Sequence, residues 1–105
     1  MTMTLRETTP AQHETRDSHA GRRVLVTGAA KGIGLAMAEA MAGAGADVLL
    51  NGFGDADAIA ATVAGMTKKY GVTIRHHGAD MSKPDEIAAM IAYAESELDG
   101  VDILI

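Results

Sequence analysis

An apolar segment that leads through a glycine-rich turn into a helix-forming segment constrains the fold of this chain more than any other feature. It runs from Val24 to Gly34 and reads Val-Leu-Val-Thr-Gly-Ala-Ala-Lys-Gly-Ile-Gly. Gly28 permits a tight turn after a strand, and Gly32 lets the backbone approach a phosphate without a Cβ in the way. Gly34 lets the helix pack closely on the strand. The segment therefore predicts a pyrophosphate site made of backbone N–H groups and a helix N-terminus.

The glycine spacing distinguishes this turn from other phosphate-binding turns. It is Gly-x-x-x-Gly-x-Gly, whereas the commoner dinucleotide fingerprint is Gly-x-Gly-x-x-Gly and a P-loop ends in Gly-Lys-Ser/Thr. Because Leu35 and Ala36 follow Gly34, we do not expect hydrolysis of nucleoside triphosphates. A glycine-rich turn without a ligand is the competing interpretation, and the strands and helices that follow argue against it.

Four apolar strands alternate with three helices after residue 21. The strands are expected at Arg23–Thr27, Ala46–Asn51, Val72–His77 and Val101–Ile105. Right-handed crossovers between such strands give a parallel sheet with helices on both faces. The order βαβαβαβ therefore predicts an α/β fold, namely the N-terminal part of a Rossmann-like doubly wound parallel sheet.

Each helix has an apolar stripe that predicts its buried face. The first helix is expected at Gly32–Ala44, the second at Asp55–Tyr70, and the third after Ser82, which caps it with Asp85 as capping-box partner. The expected stripes are Ile33, Met37, Ala40, Met41 and Ala44; Ile59, Val63, Met66 and Tyr70; and Ile87, Met90, Ile91, Ala94 and Leu98.

The chain divides into a polar tail and one folded unit. Residues 1–20 are polar, with no apolar core for a signal peptide and with acids that argue against a transit peptide. We expect residues 1–21 to be a disordered tail and residues 22–105 to be the N-terminal part of a dinucleotide-binding domain. Because the last residues form an apolar strand, we expect that domain to be truncated at Ile105.

The composition excludes several classes of function. A net charge of −5 and an aromatic fraction of 3% argue against nucleic-acid binding, which needs a basic face and stacking rings. The chain has no cysteine, which excludes thiolate chemistry and fits a reducing compartment such as the cytoplasm. The sequence has no run of about 18 apolar residues, so it predicts no membrane-spanning helix. His76 and His77 are adjacent on a strand and point to opposite faces, so we expect no metal site.

Three segments resemble the short-chain dehydrogenase/reductase family. Thr27-Gly28-Ala29-Ala30-Lys31-Gly32-Ile33-Gly34 is similar to the coenzyme motif of that family. Gly78–Ser82 is similar to its aspartate-containing turn after the third strand, and Val101–Ile105 to the strand before its Asn-Asn-Ala-Gly segment. The resemblance covers Arg22 to Ile105 and implies a nicotinamide-dependent oxidoreductase.

The resemblance also implies roles for individual residues. Gly28, Gly32, Ile33 and Gly34 would hold the pyrophosphate and the adjoining ribose, and Thr27 would fix the turn through its hydroxyl.

At the adenosine end, Asp80 would accept a hydrogen bond from the adenine amino group, and Met81 would lie beside it through its backbone. Phe53, Asn51 and Gly52 would border the adenine ribose. The alternative interpretation of Asp80 is a turn residue or a neighbour of the helix cap Ser82, and that of Phe53 is a loop aromatic that covers a helix end.

The end of the second strand favours NAD over NADP. NADP sites often have a basic residue there, but no Arg or Lys follows Asn51 until Lys68. Lys31 departs from this pattern, because a basic residue just before the second glycine is common in NADP-preferring relatives. Alternatively, Lys31 is a solvated loop residue with no ligand contact.

The catalytic residues are expected beyond Ile105. Family catalysis uses a tyrosine four residues before a lysine, but Ile74 follows Tyr70 and Glu97 follows Tyr93 at that spacing. The isolated chain should therefore be inactive.

Leu50–Asp55 and His77–Pro84 resemble family members that oxidise short 3-hydroxy acids with NAD, which implies such a substrate and a homotetramer for the whole protein. Two alternatives stay open: an NADPH-dependent 3-oxoacyl-thioester reductase and a catalytically inactive dinucleotide-binding regulator.

Overall fold

A parallel sheet of four strands forms the centre of the computed structural model, which describes residues 20–105. The strands are β1 (Arg23–Val26), β2 (Asp47–Asn51), β3 (Ile74–His77) and β4 (Ile103–Leu104). The helices between them are α1 (Gly32–Gly43), α2 (Ala56–Tyr70) and α3 (Pro84–Leu98). The predicted tail falls mostly on residues 1–19, which lie outside the described residues.

The strand order is β3-β2-β1-β4, and all neighbouring strands are parallel. Val24 in β1 pairs with Val48 in β2 on one side and with Ile103 in β4 on the other. The chain therefore builds outward from β1 in one direction and then crosses to its other side, which creates a topological switch point next to β1. The predicted Rossmann-like α/β fold is confirmed.

Two apolar clusters cover the two faces of the sheet. Val24, Val26, Val48 and Leu50 pack under α1 and α2, together with Met66. On the other face, Leu25 and Leu49 pack under α3 with the following buried residues: Met90, Ala94 and Leu98. Successive residues of a strand point to opposite faces of the sheet, and both faces are covered by helices. This explains why β1 and β2 are apolar throughout.

Helix α2 follows its sequence pattern closely. The carboxylate of Asp55 accepts a hydrogen bond from the Ala58 N–H at 2.9 Å, which caps the helix N-terminus. Gly71 ends the helix in the left-handed conformation, with φ of +68°. Met66 is buried, and Val63 and Tyr70 pack beside it, so the predicted face is the observed one.

Helix α1 is rotated relative to the predicted stripe. Ile33 is 81% exposed and Met37 is 40% exposed, whereas Ala38 and Ala42 are buried against the sheet. Gly34, Ala38 and Ala42 are spaced four residues apart and form a row of small residues that lets the helix approach the sheet closely. Leu35 and Met41, the latter from the predicted stripe, are partly buried against the apolar cluster beside this row.

Helix α3 begins later than predicted, and Ser82 does not cap it. Pro84 occupies the first helical position, with Lys83 as the N-cap and no side-chain cap. The Ser82 hydroxyl instead donates to Asp80 Oδ1 at 2.7 Å. The predicted capping box with Asp85 is therefore wrong. Ile91 is also more exposed than its stripe predicts, and Tyr93 packs against the apolar cluster in its place.

An ion pair joins the first and last strands at the amino edge of the sheet. Arg23 Nε donates to Asp102 Oδ2 at 2.8 Å, and Arg23 Nη2 donates to Asp102 Oδ1 at 2.9 Å. The Arg23 backbone N–H also donates to Asp102 Oδ2 at 2.9 Å. The hydrogen bonds from the guanidinium and from this N–H lower the pKa of Asp102 from 3.8 to about 2.

Candidate functional site

The turn after β1 presents bare backbone at the carboxyl edge of the sheet. We call residues 27–34 the phosphate loop. Gly28 and Gly32 have φ angles of +62° and +66°, a conformation that side chains rarely adopt. A Cβ added at either glycine would meet nothing within 4 Å. The loop therefore needs glycine for its conformation, and its surface at these positions is open.

Gly34 is required for a different reason. A Cβ at this position would overlap the carbonyl oxygen of Gly28 and lie 3.1 Å from the Ala29 Cα. The first turn of α1 is thereby held directly against the phosphate loop. Its N-terminal N–H groups have no acceptor within the helix, and the helix has neither a side-chain cap nor an acid in its first turn. This arrangement favours an anion.

Thr27 and Lys31 are the two residues of the phosphate loop with polar side chains. Thr27 donates from both its N–H and its hydroxyl to the carbonyl oxygen of Ile105, at 2.9 and 3.0 Å. It thus fixes the start of the loop to the end of the last strand. Lys31 is the exposed N-cap residue of α1, next to Ile33, whose side chain is also exposed.

Asn51, at the end of β2, has its side chain inside the molecule. It is only 2% exposed, and Nδ2 donates to the carbonyl oxygens of Ala79 at 3.0 Å and His77 at 3.1 Å. Its own carbonyl oxygen accepts from the Ala29 N–H at 2.7 Å. Asn51 therefore lies beside the candidate ribose position through its backbone, while its side chain connects the segments that follow β2 and β3.

Gly52 lies directly against the phosphate loop, a contact that the sequence did not reveal. A Cβ there would be 2.9 Å from the Ala30 backbone nitrogen and 3.2 Å from that of Ala29. From the side of β3, His76 Nε2 is 2.8 Å from the Gly52 carbonyl oxygen. In the sequence, Gly52 could be noticed only because it follows a strand. Its contacts are with residues that are more than twenty positions away in the chain.

Phe53 is the first side chain after β2 that projects into solvent. It is 65% exposed and lies between Gly52 and Gly54. Most of its ring is therefore uncovered. The segment from Asn51 to Phe53 therefore offers an apolar ring, and no charged side chain, at this point of the site.

A second loop forms the other side of the site after β3. We call residues 78–82 the adenine loop. Asp80 Oδ1 accepts from the Ser82 hydroxyl at 2.7 Å and from the Ser82 N–H at 2.9 Å, and these bonds lower the pKa of Asp80. The Asp80 N–H donates to Glu86 Oε1 at 2.8 Å. Asp80 thus shapes the turn as an ionised acceptor, and Met81 beside it is exposed.

The loops converge because the strands before them end at the same edge of the sheet. The phosphate loop follows β1, the Asn51–Phe53 segment follows β2, and the adenine loop follows β3. The residues that the sequence selected as coenzyme contacts therefore lie on loops at this one edge of the sheet. The carboxyl edge of a parallel sheet, beside a topological switch point, is where ligands of such folds bind.

Neither tyrosine of the described residues is placed for proton transfer at this site. Tyr70 donates from its hydroxyl to Glu39 Oε1 at 3.2 Å on the outer side of α1. The Tyr93 ring packs against His77, with ring centroids 5.2 Å apart. Among residues 20–105 there is no cluster of three metal-ligating side chains, and no helix is long and apolar enough to cross a membrane.

Comparison with known proteins gives consistent results. The family model described as short chain dehydrogenase matches residues 22–105. D-beta-hydroxybutyrate dehydrogenase of Cupriavidus necator is 49% identical over 85 residues, which are 81% of this chain and 32% of that protein. The enzyme of the same name from Rhizobium meliloti is 43% identical over 84 residues, which are 80% of this chain and 33% of that protein.

A solved structure agrees with the fold. L-sorbose reductase from Gluconobacter frateurii, complexed with NADPH and L-sorbose, superposes with a TM-score of 0.75 at 30% identity. The match covers 81% of this chain and 32% of that one. The chain thus spans about a third of the length of each protein that it matches.

Proposed function

This chain belongs to the short-chain dehydrogenase family, and from that membership we propose that it is the coenzyme-binding part of an NAD-dependent enzyme that oxidises D-3-hydroxybutyrate to acetoacetate. The observation that carries the proposal is the phosphate loop, in which Gly28, Gly32 and Gly34 expose backbone N–H groups at the N-terminus of α1. The family consists of oxidoreductases, and the coenzyme and substrate named here are our inference.

The residues present fit a nicotinamide dinucleotide. The pyrophosphate would lie on the phosphate loop, where no Cβ intrudes at Gly28 or Gly32. Asp80 would accept from the adenine amino group, with Met81 beside it, and Phe53 would border the ribose. The chemistry that such a coenzyme supplies when bound is acceptance of a hydride from the substrate carbon. The part of this chain is to bind and orient it.

The preference for NAD rests on the absence of a cation after β2. Asn51 is turned inward, Gly52 has no side chain, and Phe53 is apolar. A 2′-phosphate would find no basic partner among these three residues, whereas a 2′-hydroxyl needs none.

The substrate is inferred from the relatives. Both D-beta-hydroxybutyrate dehydrogenases are at least 43% identical to this chain across the folded segment. Because the match covers only a third of each, the groups that bind substrate and move its proton are proposed to lie outside residues 20–105. No lysine stands four residues after Tyr70 or Tyr93, which agrees with this placement.

A second candidate is an NADPH-dependent reductase of 3-oxoacyl thioesters. Lys31 favours this candidate. It is an exposed residue of the phosphate loop, directly before α1, and its long side chain would be able to approach a 2′-phosphate. The similarity to a reductase complexed with NADPH is consistent with this alternative. A regulator that binds the dinucleotide without catalysis is the third candidate.

One experiment separates the three candidates. Calorimetry on the complete protein measures the affinity for NAD and NADP, and absorbance at the reduced nicotinamide band follows turnover of D-3-hydroxybutyrate. We expect tighter binding of NAD, together with turnover. Tighter binding of NADP with reduction of a 3-oxoacyl thioester would identify the reductase, and binding without turnover of any substrate would identify the regulator. Absence of binding to either coenzyme would refute all three.

A further inference from the structure

Asn51 is hydrogen-bonded to both loops of the site at once. Its carbonyl oxygen accepts from the Ala29 N–H in the phosphate loop at 2.7 Å. Its Nδ2 donates to the Ala79 carbonyl oxygen in the adenine loop at 3.0 Å and to that of His77, just before this loop, at 3.1 Å. The residue is almost completely buried, so water does not replace these bonds. A single residue thus joins two loops that are about fifty residues apart in the chain.

The chemistry at this position calls for an amide. Nδ2 of asparagine has two hydrogens, and both are used by carbonyl oxygens that a carboxylate or an aliphatic side chain would leave without a donor. The neighbouring Gly52 restrains the same region from the other side, because its Cα packs against Ala30 and its carbonyl oxygen is bonded by His76. The hydrogen bonds to the adenine loop among these contacts come from Asn51, whereas His76 only lies beside Gly78.

We propose that Asn51 is a positioning residue that sets the distance between the phosphate loop and the adenine loop. A ligand that contacts both loops binds tightly only when they are already held at the right separation, since otherwise binding must order them. A ligand that contacts one loop does not depend on this distance. The inference rests on the proposed function, in that the two loops hold the diphosphate and adenine of one coenzyme.

The test compares ligands that span the site with one that does not. In the complete protein carrying Asn51→Ala, calorimetry would measure the dissociation constants of NAD, ADP and adenosine. We expect those of NAD and ADP to rise about 10- to 100-fold and that of adenosine to change by less than about threefold. The KM for NAD should rise similarly, with kcat at saturating NAD unchanged.

A matched control removes a similar connection at the opposite edge of the sheet. Asp47 Oδ1 accepts from the Thr73 N–H at 2.9 Å, which joins the start of β2 to the segment before β3. Asp47→Ala therefore loses a side-chain bond between the same two strands, far from both loops. It should lower the melting temperature without changing any of the three dissociation constants.

A second variant addresses the cavity that alanine leaves. Asn51→Asp has nearly the same shape but loses the amide donors, and we expect the same difference between ADP and adenosine. Equal weakening of all three ligands, or the same weakening in Asp47→Ala, would show a general effect on stability and overturn the proposal. So would unchanged ADP binding in Asn51→Asp, or failure of both Asn51 variants to fold while Asp47→Ala folds.

The proposed function fails by a different observation. It is refuted if the unaltered protein binds neither NAD nor ADP, whereas the role of Asn51 is judged from the ratio of ADP to adenosine affinities between variants. A protein that binds NAD with an unchanged ratio would keep the function and lose the positioning role.

Discussion

Gly34 and Gly28 are in contact across the turn between β1 and α1, so closely that a Cβ at position 34 would overlap the carbonyl oxygen of Gly28. This contact fixes the helix N-terminus against the phosphate loop. It also explains why the third glycine of the motif is as necessary as the two that adopt positive φ.

Gly34→Ala should therefore disturb both the fold and the site. Overpacking against backbone destabilises by about 1–3 kcal/mol, and the displaced helix terminus should weaken NAD binding about tenfold or more. Urea unfolding and calorimetry measure the two effects. Gly65→Ala, in the middle of α2 with nothing within 4 Å of its Cβ, is the matched control. It should stabilise by about 0.5–1 kcal/mol and leave NAD binding unchanged.

Gly52→Ala should weaken coenzyme binding because the new methyl group would press on the phosphate loop. The new Cβ would be 2.9 Å from the Ala30 nitrogen and must displace the phosphate loop. Gly54→Ala, whose Cβ would meet Ile59 Cδ1 at an ordinary 3.5 Å, provides the comparison. Titration with NAD should show a loss only for Gly52→Ala; equal affinities in the two variants would contradict the tight approach at Gly52.

Lys31→Ala tests the coenzyme preference. If NAD is the coenzyme, its affinity should change little, because a lysine at the mouth of the loop has no 2′-phosphate to meet. NADP should lose about tenfold, the value expected for one charge-assisted contact. The two Kd values, measured at low and at physiological salt, decide the matter. A large loss of NAD affinity would show that Lys31 binds the pyrophosphate instead.

Acid should remove the contribution of the Arg23–Asp102 pair. The folded-state pKa of Asp102, about 2, is below its ordinary 3.8. The ionised carboxylate therefore stabilises the fold at higher pH, and this stabilisation is lost as the pH falls from about 4 towards 2. Asp102→Asn should lower the urea midpoint at neutral pH and flatten its dependence on pH in this window.

Two other carboxylates bear on this measurement. Asp80 also has a lowered pKa, so some dependence on pH should persist in Asp102→Asn. Glu97→Gln breaks the more exposed pair with Arg75, 3.0 Å long, and should change the midpoint little at any pH. An unaltered pH profile in Asp102→Asn would show that the pair does not contribute.

Ser82→Ala should change the pKa of Asp80 and leave the stability of helix α3 unchanged, because Ser82 does not cap that helix. Both hydrogen bonds to Asp80 Oδ1 come from Ser82, and removal of the hydroxyl should raise the pKa of Asp80 towards 3.8. An NMR titration of the side-chain carboxyl measures this change. The helicity of α3 should stay the same, because Pro84 and Lys83 begin that helix.

The order of the elements and the phosphate loop were predictable from the sequence because each rests on local chemistry. Alternating apolar strands and helices leave few topologies once crossovers are right-handed, and Gly28 and Gly32 have positive φ for reasons internal to the turn. The cap of α2 at Asp55 is local in the same sense.

The errors in the helices arose where a particular contact overrides the apolar or capping pattern. The rotation of α1 follows from the approach of Gly34 to Gly28 and not from the larger side chains Ile33 and Met37. Ser82 bonds to Asp80, which competes successfully for the hydroxyl that would have capped α3. The inward side chain of Asn51 was not an error but an omission: it depends on carbonyl groups at the end of β3 and in the loop after it, which no periodicity along β2 can reveal.

The Arg23–Asp102 pair lies at the amino edge of the sheet, whereas all three ligand loops leave from the carboxyl edge. The Arg23–Asp102 pair and the proposed coenzyme contacts thus lie at opposite ends of the same strands. We therefore expect substitutions at the base of the sheet to change stability in acid while leaving the loops of the proposed coenzyme site unaltered.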